Sequence, residues 1–216
     1  MKSKIINYLV LWSAFFVPAT ASASNWVYSA SVSNKSYEIK GNTLNSGSFR
    51  FDETLNALTL AAGNEFLKGD ISFSVTTVES SPEIDRTDLS ISYSAPISEK
   101  TSFSLGYFTS STDLDLANVS APLDNDSYYA QFVGRQPIAG NLTASFKLGL
   151  MTGDYDFRDD SGRSEGLSYG ISLKSLYGEN ILSLAYEYAD LSFNTSPGND
   201  MDEKISGISL SIARSF

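Results

Sequence analysis

The chain has 216 residues and contains neither cysteine nor histidine. Without cysteine there is no disulfide, no thiolate metal ligand and no lipidated-cysteine anchor. Without histidine every mechanism that relies on an imidazole base is excluded, and most zinc sites go with it. Positive charge is scarce: 15 Lys and Arg stand against 25 Asp and Glu, a formal charge of −10. Nucleic-acid binding needs a basic footprint and is not expected. Long apolar runs are absent beyond the first segment, so no transmembrane helix is expected in the rest of the chain. Leu, Ile, Val, Tyr and Phe are nevertheless plentiful, which excludes a disordered chain.

The one long apolar run reads as an address. Lys2 and Lys4 precede Ile5 to Val17, a mostly apolar stretch of 13 residues. Pro18 ends it, and Ala19-Thr20-Ala21-Ser22-Ala23 offers two A-x-A cleavage sites. This is the three-part pattern of a secretory signal peptide, and the run is too short for a spanning helix, which needs about 20 residues. We expect a signal peptide over 1–23 and a single domain over 24–216. Loss of Lys2 and Lys4 leaves 13 cations against 25 acids.

The remaining chain repeats one pattern. Ile71-Ser72-Phe73-Ser74-Val75, Leu89-Ser90-Ile91-Ser92-Tyr93 and Leu182-Ser183-Leu184-Ala185-Tyr186 alternate large apolar residues with small ones. Successive strand side chains point to opposite faces, so one face is apolar and the other is Ser, Gly, Thr and Ala. Turn residues divide the pattern into ten strands: 26–39, 48–62, 69–79, 86–97, 101–112, 126–136, 141–153, 164–176, 180–192 and 203–216. Alternate connections fall at opposite ends of an antiparallel meander. One set is short; the other, Glu79–Thr87, Asp113–Asp126, Asp154–Glu165 and Phe193–Lys204, is longer and more polar, with Gly41–Gly47 as its short member.

A soluble sandwich and a membrane barrel both alternate; they differ in which face meets water. The leader, the asymmetry of the rims and the smallness of the polar face favour an outer-membrane barrel, whose apolar face meets lipid. Aromatics also gather near strand ends, as interfacial belts require. Tyr107, Phe108, Tyr128, Tyr129, Tyr155, Phe157 and Tyr188 are placed on one rim, and Trp26, Phe66, Phe103 and Tyr177 on the other. The expected fold is all-β: an antiparallel up-and-down transmembrane β-barrel of ten strands, with eight as the alternative.

The last strand carries the sharpest motif. Ile208, Leu210, Ile212, Arg214 and Phe216 share one parity, and the chain stops at an aromatic carboxyl terminus. This resembles the C-terminal strand of small bacterial outer-membrane barrels of the OmpA and OmpX type. Arg214 departs from the apolar residue usual at that place, and an arginine near the interface can snorkel. The resemblance implies an outer-membrane location, partnership with the barrel-assembly machinery and periplasmic chaperones during biogenesis, and an assembly signal formed by Ile208, Leu210, Ile212 and Phe216. Deleting Phe216 is expected to lower the amount of protein reaching the outer membrane, read by quantitative blotting of membrane fractions.

Little chemistry is visible. Known barrel enzymes — the omptin proteases, the phospholipase, the lipid A deacylase and palmitoyltransferase — carry histidine in their sites, and this chain has none. No catalytic residue and no cofactor are expected. Asp154, Asp156 and Glu165 occupy positions 1, 3 and 12 of a calcium-loop pattern, but Arg158 and Asp159 stand where an oxygen ligand and a glycine belong. They are at most weak divalent-cation candidates. Lys147, Lys174 and Glu187 share the parity of small residues and are expected to face the lumen, because lysine on the lipid face costs about 2–4 kcal/mol at mid-bilayer. The segments 79–88, 113–126, 154–165 and 190–204 hold 17 of the 25 acids and only four cations. That rim is expected to attract divalent cations, either bridging to lipopolysaccharide phosphates or biasing any pore toward cations. The function that follows is non-enzymatic: a narrow passive pore or a structural surface protein. A surface adhesion protein and a soluble periplasmic β-sandwich or lipid carrier are the alternatives.

Overall fold

The computed structural model describes residues 26–43, 47–79, 81, 83–116, 119–158, 160–194 and 200–215. The expected signal peptide and Phe216 lie outside the described residues. The chain forms ten antiparallel strands: β1 (Val27–Thr43), β2 (Gly47–Phe66), β3 (Gly69–Val78), β4 (Ile84–Ser98), β5 (Thr101–Leu116), β6 (Val119–Ala139), β7 (Leu142–Phe157), β8 (Asp160–Tyr177), β9 (Asn180–Asn194) and β10 (Asp200–Ser215). Each pairs with its sequence neighbours, and β1 also pairs with β10, so the sheet closes into a barrel with no free edge. Closure satisfies every ladder without water, which is what a lipid environment demands of a sheet.

The register fixes the tilt. Followed once around the barrel from Ser29, the partners return to β1 at Gly41, an offset of 12 residues. With a rise of about 3.3 Å per residue and strands about 4.8 Å apart, the strands lean by roughly 40° from the barrel axis. This is the range of outer-membrane barrels.

The ten expected strands are present, and their turn-end boundaries are close to those read from the sequence. Four tight connections join β2 to β3, β4 to β5, β6 to β7 and β8 to β9. At the first of these Leu67 and Lys68 both take positive φ, 47° and 65°, the backbone that a two-residue hairpin turn requires. The opposite rim corrects the sequence reading. The segments 113–126 and 154–165 are not long loops: β5 runs to Leu116 and pairs there with Val119 of β6, and β7 runs to Phe157 and pairs with Asp160 of β8. Strands of 20 residues in β2 and 21 in β6 are about twice what a bilayer needs. The surplus extends the barrel beyond the membrane at this end.

Inside and outside exchange character along that extension. In β5 the outward residues Phe103, Leu105 and Tyr107 are followed on the same face by Asp113 and Asp115, while the inward Ser102, Ser104 and Gly106 give way to Leu114. In β7, Phe146, Leu148 and Leu150 give way to Asp154 and Asp156 outside, and Lys147 and Gly149 to Tyr155 and Phe157 inside. The lower barrel is thus apolar outside and polar inside. The upper barrel is a soluble one with an apolar core, built from the same strands.

Candidate functional site

The interior has three storeys. The uppermost is an apolar plug. Tyr37, Ile39, Phe51, Ile84, Leu114 and Leu123 are each no more than 2% exposed, and Tyr155, Phe157, Leu191, Phe193 and Met201 join them in one cluster. Contributions come from β1, β2, β4, β5, β6, β7, β9 and β10, so the plug is fed from all sides of the barrel. Tyr155 and Phe193 meet edge to face at 5.0 Å, and Phe49 lies 5.7 Å from Phe157. Tyr155 and Phe157 in this plug, and Phe108 and Tyr129 in the lumen lining below it, point inward and form no part of an aromatic rim. Burial and then the charge of Asp160 push the Tyr155 phenol up to about 12, so it stays neutral, and its buried hydroxyl has no hydrogen-bond partner among the described residues.

Below and partly within the plug lies a buried ion network. Arg86 on β4 donates from Nε to Asp88 Oδ1 at 2.7 Å and from Nη1 to Glu203 on β10. Its side chain has no exposure, and Glu203 has 1%. Three strands separate β4 from β10 around the wall, so this ion pair crosses the lumen. The guanidinium also sits 5.6 Å from the centre of the Tyr37 ring. Asn125 accepts from Ser127 and Ser164 at 3.0 and 2.7 Å, which ties β6 to β8 at the same end of the barrel. By sequence position Arg86, Asp88 and Glu203 belong to the acidic rim; the structure turns all three inward. The parity of β10 carries the signal for Glu203, two residues from Ile205 and on the opposite face to Lys204.

The lowest storey is a chamber of about 630 Å³ lined by serine hydroxyls and charged side chains. Lys147, Lys174 and Glu187 all line it. Lys147 and Glu187 form an ion pair. Lys174 stands apart from them, and Lys35 and Arg135, which were not singled out from the sequence, also line the chamber. Glycines make the ion pair possible. Lys35, Gly207, Glu187, Gly170 and Lys147 are successive register partners on β1, β10, β9, β8 and β7. A Cβ at Gly170 would lie 2.7 Å from Lys147 Cε, and one at Gly207 2.8 Å from Lys35 Cγ. The long side chains lie across the bare glycine backbone.

The divalent-cation candidates do not converge. Asp154 faces Arg163 across the β7–β8 ladder, Asp156 faces Ser161, and Glu165 faces Thr152. All three stand on the outer wall of a hairpin rather than around a loop, because strand alternation spreads them along the ladder. Among the described residues no group of three metal-ligating side chains exists. The wall does set acids against each other: Asp85 opposite Asp113, Asp124 opposite Asp156 and Asp126 opposite Asp154. Like charges directly opposite are destabilising and raise the local density of counter-cations.

The outer belt below these acids is continuous. Leu105, Leu150, Ile171, Leu184, Ile208 and Leu210 are among its exposed apolar residues. Tyrosines mark its upper edge: Tyr107 lies tilted against Tyr128 at 5.4 Å, Tyr169 stacks on Tyr188 at 4.9 Å, and Tyr107 and Tyr188 donate to Asp126 and Asp190 above them. An apolar ring body below and a hydroxyl bonded to a charged wall above is the arrangement of a membrane interface. Ile208, Leu210 and Ile212 face lipid in this belt, paired with β1 on one side and β9 on the other.

A closed antiparallel barrel with a lipid-matched belt and a polar lower lumen is an outer-membrane β-barrel protein. No protein-family model matches the chain, and no curated protein matches it in sequence. Among solved structures it is similar to the outer membrane protease OmpT from Escherichia coli, with TM-score 0.53 and 10% identity over 91% of this chain and 99% of that one. It is also similar to the COG4313 outer membrane channel from Pseudomonas putida F1, with TM-score 0.48 and 13% identity over 92% of this chain and 99% of that one. Neisserial surface protein A gives TM-score 0.42 and 11% identity over 90% of this chain and 100% of that one. At 10% identity the likeness to OmpT is one of fold alone.

Proposed function

We propose that this protein is a non-enzymatic, structural barrel of the cell surface, closed to passive flow at its outer end, rather than an open pore. The plug supports this reading most directly: a passive pore needs a continuous wet path, and the upper lumen is filled by side chains with 0–3% exposure. The Arg86–Glu203 pair braces the same level. A non-enzymatic role is supported by the absence of histidine and cysteine and by the engagement of the buried carboxylates with Arg86. The likeness to OmpT, a protease, is one of fold and brings no catalytic group with it. Its partners on this reading are outer-membrane lipid against the belt and lipopolysaccharide beside the acidic wall, with divalent cations between.

Planar-bilayer recording of the refolded protein tests the closure, with heat-modifiable gel mobility as the folding control. The wild type is expected to give no steady conductance. A Phe51→Ala, Tyr155→Ala, Phe193→Ala triple variant removes three ring systems from the plug and is expected to open steps of conductance. A steady wild-type conductance would sink the reading of a closed barrel.

A further inference from the structure

We propose that the lower chamber binds a small anionic carbohydrate, a sugar phosphate or sugar acid, which reaches it from the periplasm. The chain as a whole is acidic, with a formal charge of −10. The chamber reverses that sign: Lys35, Arg135, Lys147 and Lys174 line it against a single carboxylate, Glu187. Glu187 is taken by Lys147. Among the described residues neither Lys35, Arg135 nor Lys174 has a carboxylate within ion-pair distance. Three cations without an ion-pair partner share one lumen, and salt reaches the deeper Lys35 only through the mouth.

Their placement is directional. The tilt of the strands sets Arg135 and Lys174 nearest the tight-turn rim, Lys147 and Glu187 above them, and Lys35 beneath the buried Arg86 network. The plug closes the far end, so the chamber is approached from the tight-turn rim. Short turns face the periplasm in outer-membrane barrels. An anion arriving there meets Arg135 and Lys174 first.

The rest of the wall selects the body of the ligand. Ser31, Ser172, Ser183 and Ser211 belong to a lining dominated by hydroxyls, and a hydroxyl both donates and accepts. The Ser145 hydroxyl lies in this lining, buried and without a hydrogen-bond partner. A polyhydroxylated ligand satisfies such a wall, whereas an apolar anion does not. A volume of about 630 Å³ suits a ligand of one or two sugar rings.

Isothermal titration of the refolded, full-length mature barrel in zwitterionic detergent at low salt tests this. The probes are glucose 6-phosphate, glucuronate, inorganic phosphate and glucose. Glucose 6-phosphate or glucuronate is expected to bind, and which of them binds tighter identifies the acidic group. Glucose and inorganic phosphate are expected to bind at least about tenfold more weakly, because each lacks one half of the recognised chemistry. An Arg135→Gln, Lys174→Gln double variant is expected to lose about tenfold or more in affinity, as loss of charge-assisted hydrogen bonds implies. Both positions are exposed near the rim, and heat-modifiable mobility confirms that the barrel has formed. Glu187→Gln frees Lys147 and is expected to tighten binding. Absence of binding by both sugar anions, inorganic phosphate binding as tightly as glucose 6-phosphate, or affinity unchanged in the double variant would each overturn the proposal. Binding by a barrel that also conducts would overturn the closed-barrel reading and leave this one standing.

Discussion

Replacing Arg86 with alanine is expected to cost about 3–5 kcal/mol of barrel stability, the range for removing one partner of a buried ion pair. Among the described residues the guanidinium is the one cation in ion-pair contact with both Asp88 and Glu203, with Nε 2.7 Å from Asp88 Oδ1 and Nη1 on Glu203. Without it two carboxylates face each other at the base of an apolar plug, Glu203 fully buried and Asp88 only 13% exposed. The pair also joins β4 to β10 across the lumen, where no backbone ladder does so. Its loss therefore loosens the upper barrel first. The expected result is a lower urea midpoint and new protease cleavage in the β7–β8 and β5–β6 hairpins, with the lower barrel still protected. Arg86→Lys should recover little, because a point charge cannot serve Asp88 and Glu203 with the separate donors that the guanidinium offers. Asp88→Asn and Glu203→Gln added to Arg86→Ala should recover a large part, because the stranded charges are then gone. An unchanged midpoint in Arg86→Ala would show that the bridge contributes nothing.

This residue also shows why part of the interior escapes a reading of the sequence. Arg86 sits where the expected strand 86–97 overlaps the connection Glu79–Thr87, whose Pro, Ser and acids read as a polar loop at its edge. In the structure β4 starts at Ile84, and Arg86 falls on the inward face with Asp88 and Ser90. The period of two does not change along the extended strands, but the apolar parity does. On β5 it moves from the odd positions Leu105 and Tyr107 to the even position Leu114. A pattern that changes face in mid-strand looks like a strand followed by a polar loop, because the Asp113 and Asp115 between the leucines dominate it. The same inversion hides the plug residues of β7, where Tyr155 and Phe157 lie on the parity of Lys147. Strand number and turn-end boundaries were legible because tight turns have a fixed residue chemistry. The inward parity of Lys147, Lys174 and Glu187 was legible because lipid tolerates none of them. Their neighbours in space were not, since Lys147 and Glu187 meet across Gly170 only through the registers of β7 with β8 and β8 with β9. The three opposed aspartate pairs of the outer wall belong to the β4–β5 and β6–β7 hairpins, where a register shift beside each turn, at Pro96–Ser98 and Pro137–Ala139, offsets the pairing that the turn positions alone suggest.

The parity of β10 gives the cleanest separation between lipid and lumen. Leu210 is 59% exposed on the outer face, between Val32 of β1 and Leu184 of β9. Ser209, one residue earlier, lines the chamber. Arginine at position 210 would place a guanidinium near the middle of the apolar belt, at a cost of about 2–4 kcal/mol. Arginine at position 209 would instead enter a wet chamber and cost far less, although it adds a fifth cation there. Leu210→Arg is therefore expected to fold poorly into lipid vesicles, with little of the heat-modifiable form and a depressed urea midpoint, while Ser209→Arg keeps most of the wild-type yield. Salt should distinguish the two further. Raising ionic strength should improve Ser209→Arg by screening the lumen cations, and should leave Leu210→Arg unchanged, because its cost is desolvation rather than repulsion. Ile208 and Ile212 share the outward face with Leu210, so an arginine at either should fail in the same manner, less severely toward the belt's edges. Equal yields of Leu210→Arg and Ser209→Arg, at low and high salt alike, would mean that the face assigned to lipid is not in lipid.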